Sequence, residues 1–96
     1  MATAPRPYER RISSEEAHEG YILVLKNRLA LFPAVSEDFV LVVGGATLRA
    51  RVEARPCECR GPAEPHEHYF IRHPGLVRGQ RVVLRPLAEG FELITT

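Results

Sequence analysis

The chain has 96 residues, 45% hydrophobic and 26% charged, with a formal net charge of +1. These are ordinary values for one globular domain; they exclude a disordered chain and leave no room for a second core. The longest apolar runs, residues 21–25 and 39–43, fall far short of the roughly 20 residues that a membrane-spanning helix needs.

The charge is unevenly placed. Residues 1–48 hold five basic and six acidic groups, residues 49–85 hold eight arginines and four glutamates, and residues 86–96 add Glu89 and Glu92. The positive charge therefore sits in one central stretch, whose local field attracts phosphate even on a nearly neutral chain. Twelve of the thirteen basic residues are arginine, and Lys26 is the lysine. The amino terminus lacks the apolar centre of a secretory signal. With only two cysteines, it points to a reducing, cytoplasmic setting in which a structural disulfide is not expected.

In chain order, residues 1–12, with prolines and arginines and little to bury, read as an extended arm before a single domain over residues 13–96. Ser13 or Ser14 is placed to cap a short helical turn through Glu15, Glu16, Ala17 and His18, with acids in its first turn and Gly20 as its stop. The run Tyr21-Ile22-Leu23-Val24-Leu25 reads as a buried strand. A helical turn capped by Asn27 and ended before Pro33 comes next. Residues 39–43 form a second buried strand. Gly44-Gly45 is a two-residue hairpin signal, and residues 47–55 return with strict alternation. Leu48, Ala50, Val52 and Ala54 are expected inside, and Thr47, Arg49, Arg51, Glu53 and Arg55 outside.

Residues 57–65 are a turn-rich connection. Residues 66–72 read as a strand, residues 76–79 lead into another over residues 81–85, and residues 91–95 are the last. Many short strands with at most two helical turns predict a mainly β fold, a small closed or half-closed β-barrel. Closure removes the edges that such apolar strands otherwise expose.

The order of these pieces carries a resemblance. A first apolar strand leads to a turn ending Leu31-Phe32-Pro33; then come the strand Phe39-Val40-Leu41-Val42-Val43, a glycine hairpin and an arginine-bearing strand. Tyr69-Phe70-Ile71 follows, and then Gly75-Leu76-Val77-Arg78-Gly79-Gln80-Arg81-Val82-Val83-Leu84. Over roughly residues 20–94 the chain resembles the DNA-binding pseudobarrel of plant auxin-response-type transcription factors and of recognition domains in some type II restriction endonucleases. Gln80 stands where that family usually has aspartate, and no tryptophan is present. A swapped-hairpin barrel of the antitoxin type, usually dimeric, shares the carboxyl-terminal hairpin pattern.

The pseudobarrel grips double-stranded DNA with two arms. By resemblance, one arm comprises Lys26, Asn27 and Arg28, and the other lies on the hairpin strand with Arg49, Arg51 and Arg55. Residue chemistry points the same way, because arginines two and four apart on one strand face project together. A guanidinium also makes bidentate contacts to guanine or phosphate. Arg72, Arg78, Arg81 and Arg85 extend this positive surface. The competing expectation is cross-strand pairing of these arginines with Glu64, Glu67 and Glu92.

A second constellation is Cys57-Glu58-Cys59 with His66-Glu67-His68. Each pair is spaced by two and so shares one face of extended backbone. As ends of one hairpin, Cys57 is expected opposite His68 and Cys59 opposite His66. This is the ligand set of a closed tetrahedral zinc site, although Cys-x-Cys is tighter than the usual zinc-finger gap. The function expected first is thus a non-enzymatic domain that binds double-stranded DNA. The alternatives are a zinc-stapled module for a protein partner or a homodimer and, from His66-x-His68, a small cupin-like metal enzyme.

Overall fold

The computed structural model describes residues 6–57 and 66–96. Seven strands form one sheet that curls into a half-barrel. They are β1 (Tyr8–Arg11), β2 (Tyr21–Val24), β3 (Asp38–Val43), β4 (Ala46–Cys57), β5 (His66–Arg72), β6 (Arg81–Leu87) and β7 (Gly90–Thr95), in the order β1-β6-β7-β3-β4-β5-β2. Neighbours are antiparallel except β3 and β7, which run parallel. The helix α1 (Ser14–Glu19) joins β1 to β2, and a 3-10 segment, Lys26–Leu31, follows β2. The mainly β, half-closed barrel expected from the strand pattern is the observed fold.

The local signals act as their chemistry requires. Ser13 caps α1: its Oγ accepts from the Glu16 N–H while the Glu16 carboxylate accepts from the Ser13 N–H, a reciprocal capping box. Gly20 ends the helix in the left-handed conformation, φ 80°. Gly44 and Gly45, at φ 57° and 85°, form the tight turn between β3 and β4, because a hairpin turn with both central residues at positive φ matches the strand twist.

Strand β4 serves both halves of the sheet. Its first half, residues 46–51, pairs with β3, and its second, residues 52–57, with β5. Leu48, Ala50, Val52 and Ala54 lie on its inner face, across from Leu41, Phe39, Ile71 and Tyr69. Only Val52 is fully buried, and Leu48 and Ala54 are exposed, since the ends of a half-barrel leave part of the inner face uncovered.

The core joins Ile22, Leu41, Val52, Ile71, Val82 and Leu84 to an aromatic cluster. Phe32 lies 4.7 Å from Phe91, 5.7 Å from Tyr8 and 6.4 Å from Phe39, centroid to centroid. The Leu31-Phe32-Pro33 ending thus places a phenylalanine inside the barrel, packed against three other rings. One expectation changes. The 3-10 segment is preceded by Leu25 with no side-chain cap, so Asn27 does not cap it. Residues 76–79 lead into β6, and Leu76 buries its side chain there. The Gln80 Oε1 accepts from the Val77 N–H at 3.1 Å.

The arm is extended but not peripheral. Residues 8–11 pair with β6, and Tyr8 and Ile12 are each only 2% exposed. Tyr8 also joins the two edge strands. Its hydroxyl donates to the Leu23 carbonyl at 2.6 Å and accepts from the Leu25 N–H at 3.1 Å. The Glu16 carboxylate accepts from the Leu23 N–H at 2.8 Å and is held by Arg10 at 2.7 Å. The backbone N–H and carbonyl of Leu23 and the N–H of Leu25, on the free edge of β2, are thereby satisfied by two side chains from the N-terminal segment.

Candidate functional site

The outward arginines of the central stretch fall into separate settings. Arg49 and Arg51 project from the half of β4 that pairs with β3, beside Asp38 at its start. Asp38 lies 3.9 Å from Arg49 and 3.6 Å from Arg51, beyond hydrogen-bond length, and their side chains keep 81% and 57% exposure. Arg55 projects from the half that pairs with β5 and meets Phe70, and no carboxylate pairs with it among the described residues; its guanidinium lies 5.7 Å from the ring centroid. Arg72 on β5 also lies over Phe70, at 5.5 Å, and its Nε donates to Glu53 at 2.9 Å. Glu53, which interrupts the arginine row, therefore holds a neighbouring arginine in place. Arg49, Arg51, Glu53 and Arg72 border one shallow hollow.

Charge pairing claims the remaining arginines in part. Arg81 pairs with Glu9 at 2.9 Å, and Arg85 pairs with Glu92 across β6 and β7. Of the carboxylates expected to neutralise arginines, Glu92 does so, whereas Glu64 lies outside the described residues. Asp38 and Glu9, the unexpected partners, are brought beside their arginines by strand pairings that composition does not reveal.

The expected first arm lies elsewhere. Asn27 and Arg28 border a hollow with Arg6, Pro7 and Tyr8 at the seam of the half-barrel. Arg28 donates to the carbonyls of Arg6 at 2.8 Å and Pro7 at 3.3 Å, while Lys26 and Asn27 are exposed. The hollow that Asn27 and Arg28 border includes none of Arg49, Arg51 and Arg55.

The cysteine–histidine register differs from expectation. Cys57 pairs across from His66, and Arg55 from His68, so Cys57 is not opposite His68. Val52 and Ile71, both fully buried, face each other further along the ladder and set this alignment. A slip of two residues keeps every side chain on its own face, so alternation alone does not choose between the two registers. Cys59 lies outside the described residues. Among the described residues no three His, Cys, Asp or Glu side chains come together in a way that could hold a metal. His18 is exposed. His73 is half-buried instead, and burial holds its pKa below the ordinary value.

Sequence reasoning missed the cleft between α1 and the outward face of β2, β5 and β4. It encloses about 420 Å³ and is lined by Glu15, Glu19, Tyr21, Arg55, Phe70 and Arg72 among others. Phe70 lies on the outward face, across from Glu53 and Leu23, yet is only 8% exposed. The two guanidiniums and the edge of the Tyr21 ring, 5.5 Å away, cover it. Burial, and then the negative charges of Glu15 and Glu16, raise the Tyr21 pKa. The available signal was the period-two spacing of Phe70 and Arg72, which puts an aromatic ring and a cation on one strand face. No helix is long and apolar enough to cross a membrane among the described residues. No family model, curated protein or solved structure matches the chain.

Proposed function

We propose that the chain is a binding domain for double-stranded DNA, which it holds against Arg49 and Arg51 on the outward face of β4. The observation that carries this reading is the state of Arg49 and Arg51. Their guanidiniums project from one face, stay largely in solvent, and share Asp38 at distances too long for a hydrogen bond. An exposed ion pair of this kind contributes at most about 1 kcal/mol, so a phosphate that accepts bidentate hydrogen bonds can displace it. The excess of arginine over residues 49–85 supplies the attracting field. Arg28 is left out of the interface because two backbone carbonyls already occupy it.

Fluorescence anisotropy of a labelled duplex, titrated over a range of salt concentrations, tests the reading. Replacing Arg49 and Arg51 together by Ala should weaken binding and reduce the slope of log K against log[salt] by about two, close to one for each lost phosphate contact. Wild-type protein that binds no duplex at low salt, or a double variant with an unchanged slope, refutes it.

A further inference from the structure

We propose that the cleft between α1 and the outward face of β2, β5 and β4 binds a small zwitterion, an anionic and a cationic group joined by a short apolar chain, as in a short peptide with free ends. The two walls carry opposite charge. Arg55 and Arg72 line the sheet side, and Glu15 and Glu19 line the helix side. Glu15 and Glu19 are four residues apart on α1 and so share one helix face. The capping box and the bonds of Glu16 to Arg10 and Leu23 fix that helix on β2.

The guanidiniums are held before any ligand arrives. Both rest over the Phe70 ring, and Arg72 is further tied through its Nε to Glu53. Side chains fixed in this way lose less freedom when they bind a carboxylate or phosphate. Tyr21, Leu23 and Phe70 supply an apolar surface between the charged walls. The volume, about 420 Å³, lies in the lower part of the range for small-molecule sites.

Charge complementarity selects the ligand class. A simple anion drawn to Arg55 and Arg72 meets Glu15 and Glu19, and a simple cation meets the reverse. Only a ligand with both signs satisfies both walls, and each wall rejects a ligand carrying the wrong charge alone. The same carboxylates repel a phosphate backbone, so this site is distinct in its chemistry from the DNA surface proposed on Arg49 and Arg51.

A chemical-shift titration of the folded protein with a leucine dipeptide tests the proposal, alongside its N-acetylated form, its C-terminal amide and adenosine monophosphate. The free dipeptide should shift the Tyr21 and Phe70 resonances. Blocking either end should weaken binding by about tenfold, the effect of one lost charge-assisted contact. The Arg55→Gln variant should bind all forms weakly. The double variant Glu15→Gln with Glu19→Gln should no longer distinguish the free dipeptide from its N-acetylated form. Absence of any shift overturns the zwitterion site, as does equal affinity for the N-acetylated dipeptide. Tighter binding of the mononucleotide than of the dipeptide also overturns it and hands Arg55 and Arg72 to phosphate recognition. None of these results depends on Arg49 and Arg51, so the DNA reading stands or falls separately.

Discussion

Two arginine–carboxylate sets in this protein show how burial changes the worth of the same chemistry. At the seam, Arg10 and Glu16 meet at 2.7 Å with side-chain exposures of 18% and 2%, and the carboxylate also accepts from the backbone of Ser13 and Leu23. On β3 and β4, Asp38 stands 3.6 Å and 3.9 Å from two arginines that remain more than half exposed. The seam network closes the half-barrel, because its carboxylate completes the free edge of β2. The β4 set closes nothing and leaves its cations available to a ligand. A buried pair is costly to break because its partners are left uncompensated, whereas an exposed pair is largely replaced by water.

The sharpest way to break the comparison is to remove the buried carboxylate. Replacing Glu16 by Ala strands the Arg10 guanidinium and two backbone N–H groups, and should cost about 3 kcal/mol or more in a urea unfolding experiment. A loss below 1 kcal/mol would show that water replaces the network and that the seam is not the closure we describe.

An intermediate effect is expected with pH. Burial pushes the Glu16 pKa up, but hydrogen bonds from Arg10, Leu23 and Ser13 outweigh it and hold the carboxyl below its ordinary range. A carboxyl whose pKa is lower in the folded protein contributes its full stability above the unfolded pKa, about 4.3 for glutamate, and loses it as pH falls through the folded value. Unfolding midpoints should therefore decline below about pH 4, and Glu16→Gln should flatten that limb. An identical decline in the variant would assign it to other carboxylates.

The smallest effect belongs to the exposed set. Asp38→Asn should change stability by less than about 0.5 kcal/mol, while duplex affinity rises because a competing negative charge is gone. A large destabilisation would place Asp38 with the seam rather than with the surface.

Residues that carry their own local chemistry were legible. Ser13 and Gly20 bracket α1, Gly44-Gly45 turns β3 into β4, and the apolar runs became β2 and β3. Arg49, Arg51 and Arg55 were likewise readable as outward neighbours, since a strand alternates by two. Tyr8 was hidden among prolines and arginines that looked solvated, because its value arises from β2, which it meets only after folding. The α1 cleft was invisible for the same reason: Glu15, Tyr21, Arg55 and Phe70 come from four elements.

Composition and periodicity by themselves determined a mainly β fold, its short helix, its tight turn and the outward side of its arginine strand, because these follow from interactions within a few residues. The tertiary structure alone decided which strands pair, the two-residue alignment of β4 on β5, the closure by Tyr8 and Glu16, and which cations find carboxylates. Those outcomes rest on contacts between distant segments, where packing of Val52 on Ile71 and desolvation of a few polar groups outweigh local preference.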